Sequence, residues 1–184
     1  CTVYGQADKM PINEDMPLKK AFSPYGNTKQ IGEQIIADCC TAYKGFNAIL
    51  LRYFNPIGAH SSAKIGEFPQ GIPQNLIPFL TKTVIGKRET LKIFGSDYDT
   101  PDGTCIRDYI HVMDLAQAHI ESLDYLIKSN NSEACEVYNV GTGRGVSVME
   151  IVQTFEKVTG EKVHFEISKP RTGDVITAFA DPKK

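Results

Sequence analysis

In the stretch SPYGNTK, residues 23–29, a phenol at Tyr25 and an ammonium at Lys29 stand four positions apart, just after a Ser-Pro pair. Four positions are one helical turn, so both side chains can reach one bound ligand from the same face. The phenol could then exchange a proton while the ammonium beside it favours the anion. On spacing alone the pair equally fits an exposed tyrosine and a solvated lysine. Two further groups suit anionic ligands: the guanidiniums of Arg107 and Arg171 stay charged and can hold phosphate oxygens bidentately.

Local signals say which elements must carry these groups. Ser23 is a good N-cap and Pro24 suits the first helical position. Apolar residues then recur at Ile31, Ile35, Cys39 and Tyr43 with helical spacing, which predicts a helix over about 24–44. The near-continuous apolar run FNAILLRYF predicts a parallel strand buried on both faces, and strand, helix, strand is a βαβ unit. Beyond about residue 60 the rhythm is less regular. NLIPFLTKTVIG and MDLAQAHIESLDYLIKS read as helices, LKIFG, IRDYIHV, EVYNVGTG and KVHFEIS as strands, and a helix is expected near 147–160. The opening CTVYG reads as the end of a strand running into a loop. The fold class is therefore α/β.

The bulk numbers bound the function. Of 184 residues, 41% are apolar and 23% charged, enough for one or two domains with a core. Twenty basic against twenty-two acidic residues leave a net charge of -2, with no basic stripe to track a phosphate backbone, so nucleic acid is not an expected partner. No apolar run approaches the roughly 20 residues that span a bilayer, and no membrane partner is expected. The five cysteines show neither zinc-site spacing nor a disulfide framework, so no metal is expected and a cytoplasmic location fits best.

Read together and in order, TVYG, SPYGNTK, LRYFNPIGAH, PQGIPQNLIPFL, KIFGSDYDTPDGTCIRDYIHVMDLA and PRTGD resemble the UDP-glucose 4-epimerases, a family of extended short-chain dehydrogenase/reductases. The resemblance runs over essentially the whole chain. It implies a Rossmann-like parallel sheet, with residues 1–60 the later part of the NAD-binding domain. Residues 61–184 would form a smaller mixed α/β domain for the nucleotide sugar, some segments returning to the main sheet.

The implied reaction interconverts UDP-galactose and UDP-glucose through a 4-keto sugar, with bound NAD as cofactor. A phenol is a poor base at neutral pH, its ordinary pKa being about 10, but an ammonium and a cationic nicotinamide favour the phenolate. Tyr25 would thus be the acid/base and Lys29 its partner, both touching the cofactor, with Tyr53 and Phe54 beside the nicotinamide. The nucleotide sugar would meet Asn55, Asn75, Leu76, backbone groups of Lys92 and Ile93, and the face of Phe94. Arg107 and Arg171 would clamp the pyrophosphate, and Asp174 would accept from the ribose hydroxyls. A small Ala178 would leave room for an N-acetyl group, extending the range to UDP-N-acetylhexosamines. Asp108 is expected to orient Arg107 or cap a turn, and GTGRG (141–145) lacks the spacing of a phosphate loop.

Two of the family's features are not in the sequence: the glycine-rich dinucleotide turn, and the catalytic Ser or Thr, which would fall just before Cys1. A fragment of a longer enzyme, homodimeric when complete, is therefore expected. A nucleotide-sugar decarboxylase, a 4,6-dehydratase or a non-catalytic nucleotide-sugar binding module are the competing readings.

Overall fold

The computed structural model describes residues 1–128, 134–171 and 173–184. Ser23 caps the first helix as expected: its Oγ accepts from the Gly26 amide at 3.1 Å, and Pro24 opens α1 (Pro24–Ala42). There follow β1 (Ala48–Tyr53), β2 (Asn55–Ile57), α2 (Leu76–Val84), β3 (Leu91–Phe94), β4 (Ile106–His111), α3 (Val112–Lys128) and β5 (Cys135–Val140). The chain continues through β6 (Gly145–Ser147), α4 (Val148–Thr159), β7 (Phe165–Ser168) and β8 (Thr177–Ala178). Ser129, at the end of the expected third helix, and Thr172, within PRTGD, lie outside the described residues.

Among the described residues three small sheets result. β1 pairs with β5 in parallel, Ala48 opposite Cys135 and Tyr53 opposite Val140, so a late segment returns to the first βα unit. β3 and β7 form a second parallel pair. β4 is the centre of the third sheet, parallel to β2 and β8 and antiparallel to β6.

Two expectations need correcting. Thr2–Tyr4 is a 3-10 turn and not a strand end: the Gly5 amide returns to the Thr2 carbonyl, and Gly5 sits at φ 62°, where a side chain would be strained. The FNAILLRYF run is not one strand buried on both faces. It breaks at Phe54 into β1 and β2, which join different sheets, and within β1 only Arg52 is buried. Among the described residues β1 has a single partner strand, so its apolar residues are only half covered.

Two apolar cores organise these elements. Leu80, Leu91, Ile93, Val152 and Val163 join α2, β3 and α4. α4 is well terminated for this role, with a reciprocal Ser147–Glu150 capping box at its start and Gly160 in the left-handed conformation at its end. Val3, Tyr4, Ile12, Phe54, Ala178 and Ala180 form the other core, around the 3-10 turn.

Buried polar groups lock the second core. Arg52, 8% exposed, holds Glu33 of α1 through two hydrogen bonds of 2.8 and 2.6 Å, and its Nη1 donates to the Tyr4 hydroxyl at 2.9 Å. Tyr4 in turn donates to Asn139 of β5 at 2.6 Å. Gln30 of α1 donates to the Val3 and Lys19 carbonyls. The helix carrying Tyr25 and Lys29 is thereby fixed to β1, β5 and the 3-10 turn.

Asp108, wholly buried on β4, accepts from the Thr142 amide (2.8 Å), the Thr142 hydroxyl (2.7 Å), the Gly143 amide (3.0 Å) and the Ala180 amide (3.1 Å). Removing the acceptor strands buried donors, each a desolvation loss of about 1–3 kcal/mol. Asp108→Ala should therefore cost about 3–5 kcal/mol of stability; an unchanged midpoint in urea unfolding would refute the anchoring role.

Candidate active site

Tyr25 and Lys29 occupy the first two turns of α1. Tyr25 is 63% exposed, and the Lys29 ammonium lies 5.2 Å from its ring centroid, over the face of the ring. Among the described residues neither the phenol oxygen nor the ammonium has a hydrogen-bond partner. The pair is thus adjacent, on one face and open to a ligand, as the spacing required.

The second group gathers around β4 and the 171–178 segment. The Arg171 guanidinium stacks 4.7 Å from the Phe94 ring centroid and grips Asp174 through two hydrogen bonds of 2.9 and 3.0 Å. Arg107, half-buried, donates to the carbonyls of Ile106 (2.8 Å) and Ile176 (3.3 Å), and it faces Ala178 across the β4–β8 pairing. Asn55 faces Tyr109 of β4 across the β2–β4 pairing. An aromatic face, two guanidiniums and a carboxylate therefore converge near Cys105, from β3, β4 and the segment between β7 and β8.

The remaining positions are placed less simply. Phe54 is 5% exposed within the core around the 3-10 turn, and the Tyr53 ring lies 6.3 Å from that of His119 on α3. Asn75 stands at the cap position of α2 yet does not cap it; its amide donates to Glu67 at 2.8 Å. Leu76 packs against the α2–β3–α4 core, where Ile93 is buried, and Lys92 pairs on the surface with Glu166 at 3.4 Å. Ala178 is 7% exposed and packs in the core around the 3-10 turn, so a large side chain there must displace neighbours.

Three site residues escaped sequence reasoning: Tyr98, Cys105 and Tyr109. Cys105 lies beside Arg107, Asp174 and Arg171, and its thiol is pushed up by burial, against the opposing pull of Arg107. Tyr98 is raised by burial and by the neighbouring Cys105 and Asp174. Burial pushes Tyr109 up to about 12, although Arg107 opposes the shift. The available signal was period-two alternation, which sets Cys105, Arg107 and Tyr109 on one face and Asp108 on the other.

A cavity of about 700 Å³ lies elsewhere, between α3 and the β1–β5 pair, lined among others by Leu51, Tyr125, Tyr138 and Val140. It contains none of the candidate catalytic or binding residues, so its volume does not mark the chemistry. Among the described residues no cluster of His, Cys, Asp and Glu could hold a metal ion, and no helix is long and apolar enough to cross a membrane.

A largely parallel α/β fold with a helix-borne Tyr-Lys pair, and with Arg107 and Arg171 gathered near Asp174, is the pattern of a nucleotide-dependent enzyme class. Residues 1–141 match the NAD dependent epimerase/dehydratase family, and the chain belongs to it. It is 51% identical over 183 residues to a UDP-glucose 4-epimerase of Bacillus subtilis, covering 100% of this chain and 53% of that protein. The solved UDP-glucose 4-epimerase of Bifidobacterium longum in complex with NAD+ and UDP superposes with a TM-score of 0.93 at 44% identity, over 100% of this chain and 53% of that one. The UDP-Glc/GlcNAc 4-epimerase of Campylobacter jejuni gives 0.75 at 38%, over 99% and 54%. The chain thus spans about half the length of the relatives it matches.

Because Tyr109 is held neutral in the fold, its contribution is complete below the ordinary phenol pKa of about 10 and is lost as pH rises through about 12. Urea midpoints measured from pH 8 to 12 should fall more steeply for the parent than for Tyr109→Phe; parallel curves would refute the assignment.

Proposed function

We propose that this chain carries the acid/base and nucleotide-sugar-binding parts of a UDP-glucose 4-epimerase acting on UDP-galactose and UDP-glucose. The observation that supports this best is the convergence of Phe94, Arg107, Arg171 and Asp174 at one place, in a chain that also presents Tyr25 and Lys29 openly on α1. Residues 1–60 together with β5 serve as part of the Rossmann-like domain, and residues 61–184 otherwise serve as the sugar-nucleotide domain.

NAD supplies a hydride acceptor and donor at carbon 4 of the sugar. Tyr25 and Lys29 fit its nicotinamide ribose, since both side chains are exposed and their polar ends open to a ligand; Tyr53 and Phe54 fit it through their backbone only. Tyr25 takes the proton of the sugar 4-hydroxyl and later returns one, with the Lys29 ammonium beside its ring. Phe94 offers its face to the uracil, with backbone groups of Lys92 and Ile93 at its edge. Arg107 and Arg171 hold the diphosphate, and Asp174 accepts from the ribose hydroxyls once Arg171 turns from it to phosphate. Asn55, with Asn75 and Leu76 at the start of α2, closes the sugar side.

A homodimer through α1 fits the exposed Ile31 and Ile35 on that helix, and a cytoplasmic location fits the free cysteines. Extension to UDP-N-acetylhexosamines rests on the small Ala178. Because Ala178 also packs in the core, Ala178→Tyr tests pocket volume only if the variant keeps UDP-galactose turnover.

The decisive experiment joins these 184 residues to the remaining part of the Bacillus subtilis relative and assays UDP-galactose turnover. Tyr25→Phe should lower turnover about 10²–10⁴-fold and leave UDP affinity, read by calorimetry, within about tenfold. Retained turnover would overturn the role of Tyr25. In the 184-residue chain alone, Arg171→Ala should weaken UDP binding about tenfold or more, the loss of a charge-assisted bidentate contact; equal affinity would remove Arg171 from the site.

A further inference from the structure

Cys40 lies near the C-terminal end of α1 and is 8% exposed. Cys135 opens β5, half-buried, opposite Ala48 of β1. α1 packs across both β1 and β5, and the helix thereby brings the Cys40 thiol near enough to Cys135 to add to burial in raising its pKa, although the two come from distant parts of the chain. Cys39 precedes Cys40 on the helix but points about 100° away from it, and Cys105 belongs to the Arg107 cluster.

We infer that Cys40 and Cys135 are a dithiol site that takes a small disulfide of the glutathione class and closes into a reversible cross-link between α1 and β5. The Cys135 thiolate, the more accessible of the two, attacks one sulfur of the small disulfide; an S–S bond forms to Cys135 and one small thiolate leaves. Cys40 loses its proton to solvent and attacks the Cys135 sulfur, expelling the second small thiolate. The two protein thiols have lost two electrons and two protons, and the small disulfide has become two thiols. Three groups set the pace on the protein side. Burial pushes the Cys135 thiol up, with Cys40 and the Glu33 carboxylate adding to the effect, so exchange quickens in mild alkali. Glu33 is itself held by Arg52, which ties the dithiol to the network that fixes α1.

The cross-link would restrain the far end of the helix that carries Tyr25 and Lys29, closing a long loop in the unfolded chain. It is independent of the proposed reaction, and its test needs no activity. The reduced 184-residue chain is incubated at pH 8.5 with a series of oxidised to reduced glutathione ratios. Non-reducing peptide mapping should then find Cys40 joined to Cys135, with the mass of the chain lower by two hydrogens and no retained glutathione. The same cross-link should survive in Cys39→Ser, and the oxidised chain should melt about 5 °C or more above the reduced one. Accumulation of a glutathione adduct on Cys135 without closure would overturn the inference. So would a cross-link through Cys39 in equal yield, or full retention of all thiols at the most oxidising ratio. Cys40→Ser and Cys135→Ser should each abolish closure, and if either variant folds poorly, the mapping of the parent chain still decides between these outcomes.

Discussion

The structure hangs on one buried carboxylate. Asp108 draws together β4, the Thr142–Gly143 turn after β5 and the Ala180 segment after β8, three stretches that no local signal would join. The constraint propagates outward. A side chain at Gly141 would place its Cβ 2.5 Å from the Asp108 oxygen and 2.8 Å from Ala180, so the approach is possible only for glycine. Since successive residues of a strand face opposite ways, anchoring Asp108 inward also commits Arg107 and Tyr109 to the other face, beside Cys105 and the Arg171–Asp174 pair.

The Gly-Thr-Gly turn, which lacks the spacing of a phosphate loop, is nonetheless a cradle for a carboxylate. Its amides and hydroxyl converge on a negative charge, but the charge is supplied by the protein itself. What would have been a ligand site in another context is here a structural joint, occupied by the protein's own carboxylate. The Arg52–Glu33–Tyr4–Asn139 network is the other joint. Dismantling one side of such a buried pair leaves the other uncompensated, typically a loss of about 3–5 kcal/mol.

Much of this was legible in the residues, where the physics is local. Ser23 with Pro24, and the amphipathic pattern after Met113, announce their helices because capping and periodicity act within one or two turns. The misreadings came where distant partners decide. Thr2–Tyr4 looks extended, but Gly5 closes it into a turn. β6 and β8, of three and two residues, exist only because β4 offers them hydrogen bonds. Asn75 has the chemistry of a cap, yet Glu67 takes its amide. The structure brings Arg107, Arg171 and Asp174 near one another, whereas Phe54 and Ala178 pack in the core beside the 3-10 turn. Cys105 and Tyr109 were hidden in plain alternation beside Arg107.

The mutual grip of Arg171, Asp174 and Phe94 has a consequence for how such a site would be filled. Each group is another's partner: the guanidinium covers the aromatic face and neutralises the carboxylate. On the proposed function, an incoming nucleotide would not enter a vacancy but trade places, offering Arg171 phosphate oxygens, Asp174 hydroxyls and Phe94 a base in return for what they already hold. Recognition by exchange returns only the difference between two sets of contacts. It also discriminates, because a molecule bearing phosphate alone, or a base alone, would break the whole triangle while replacing one side of it.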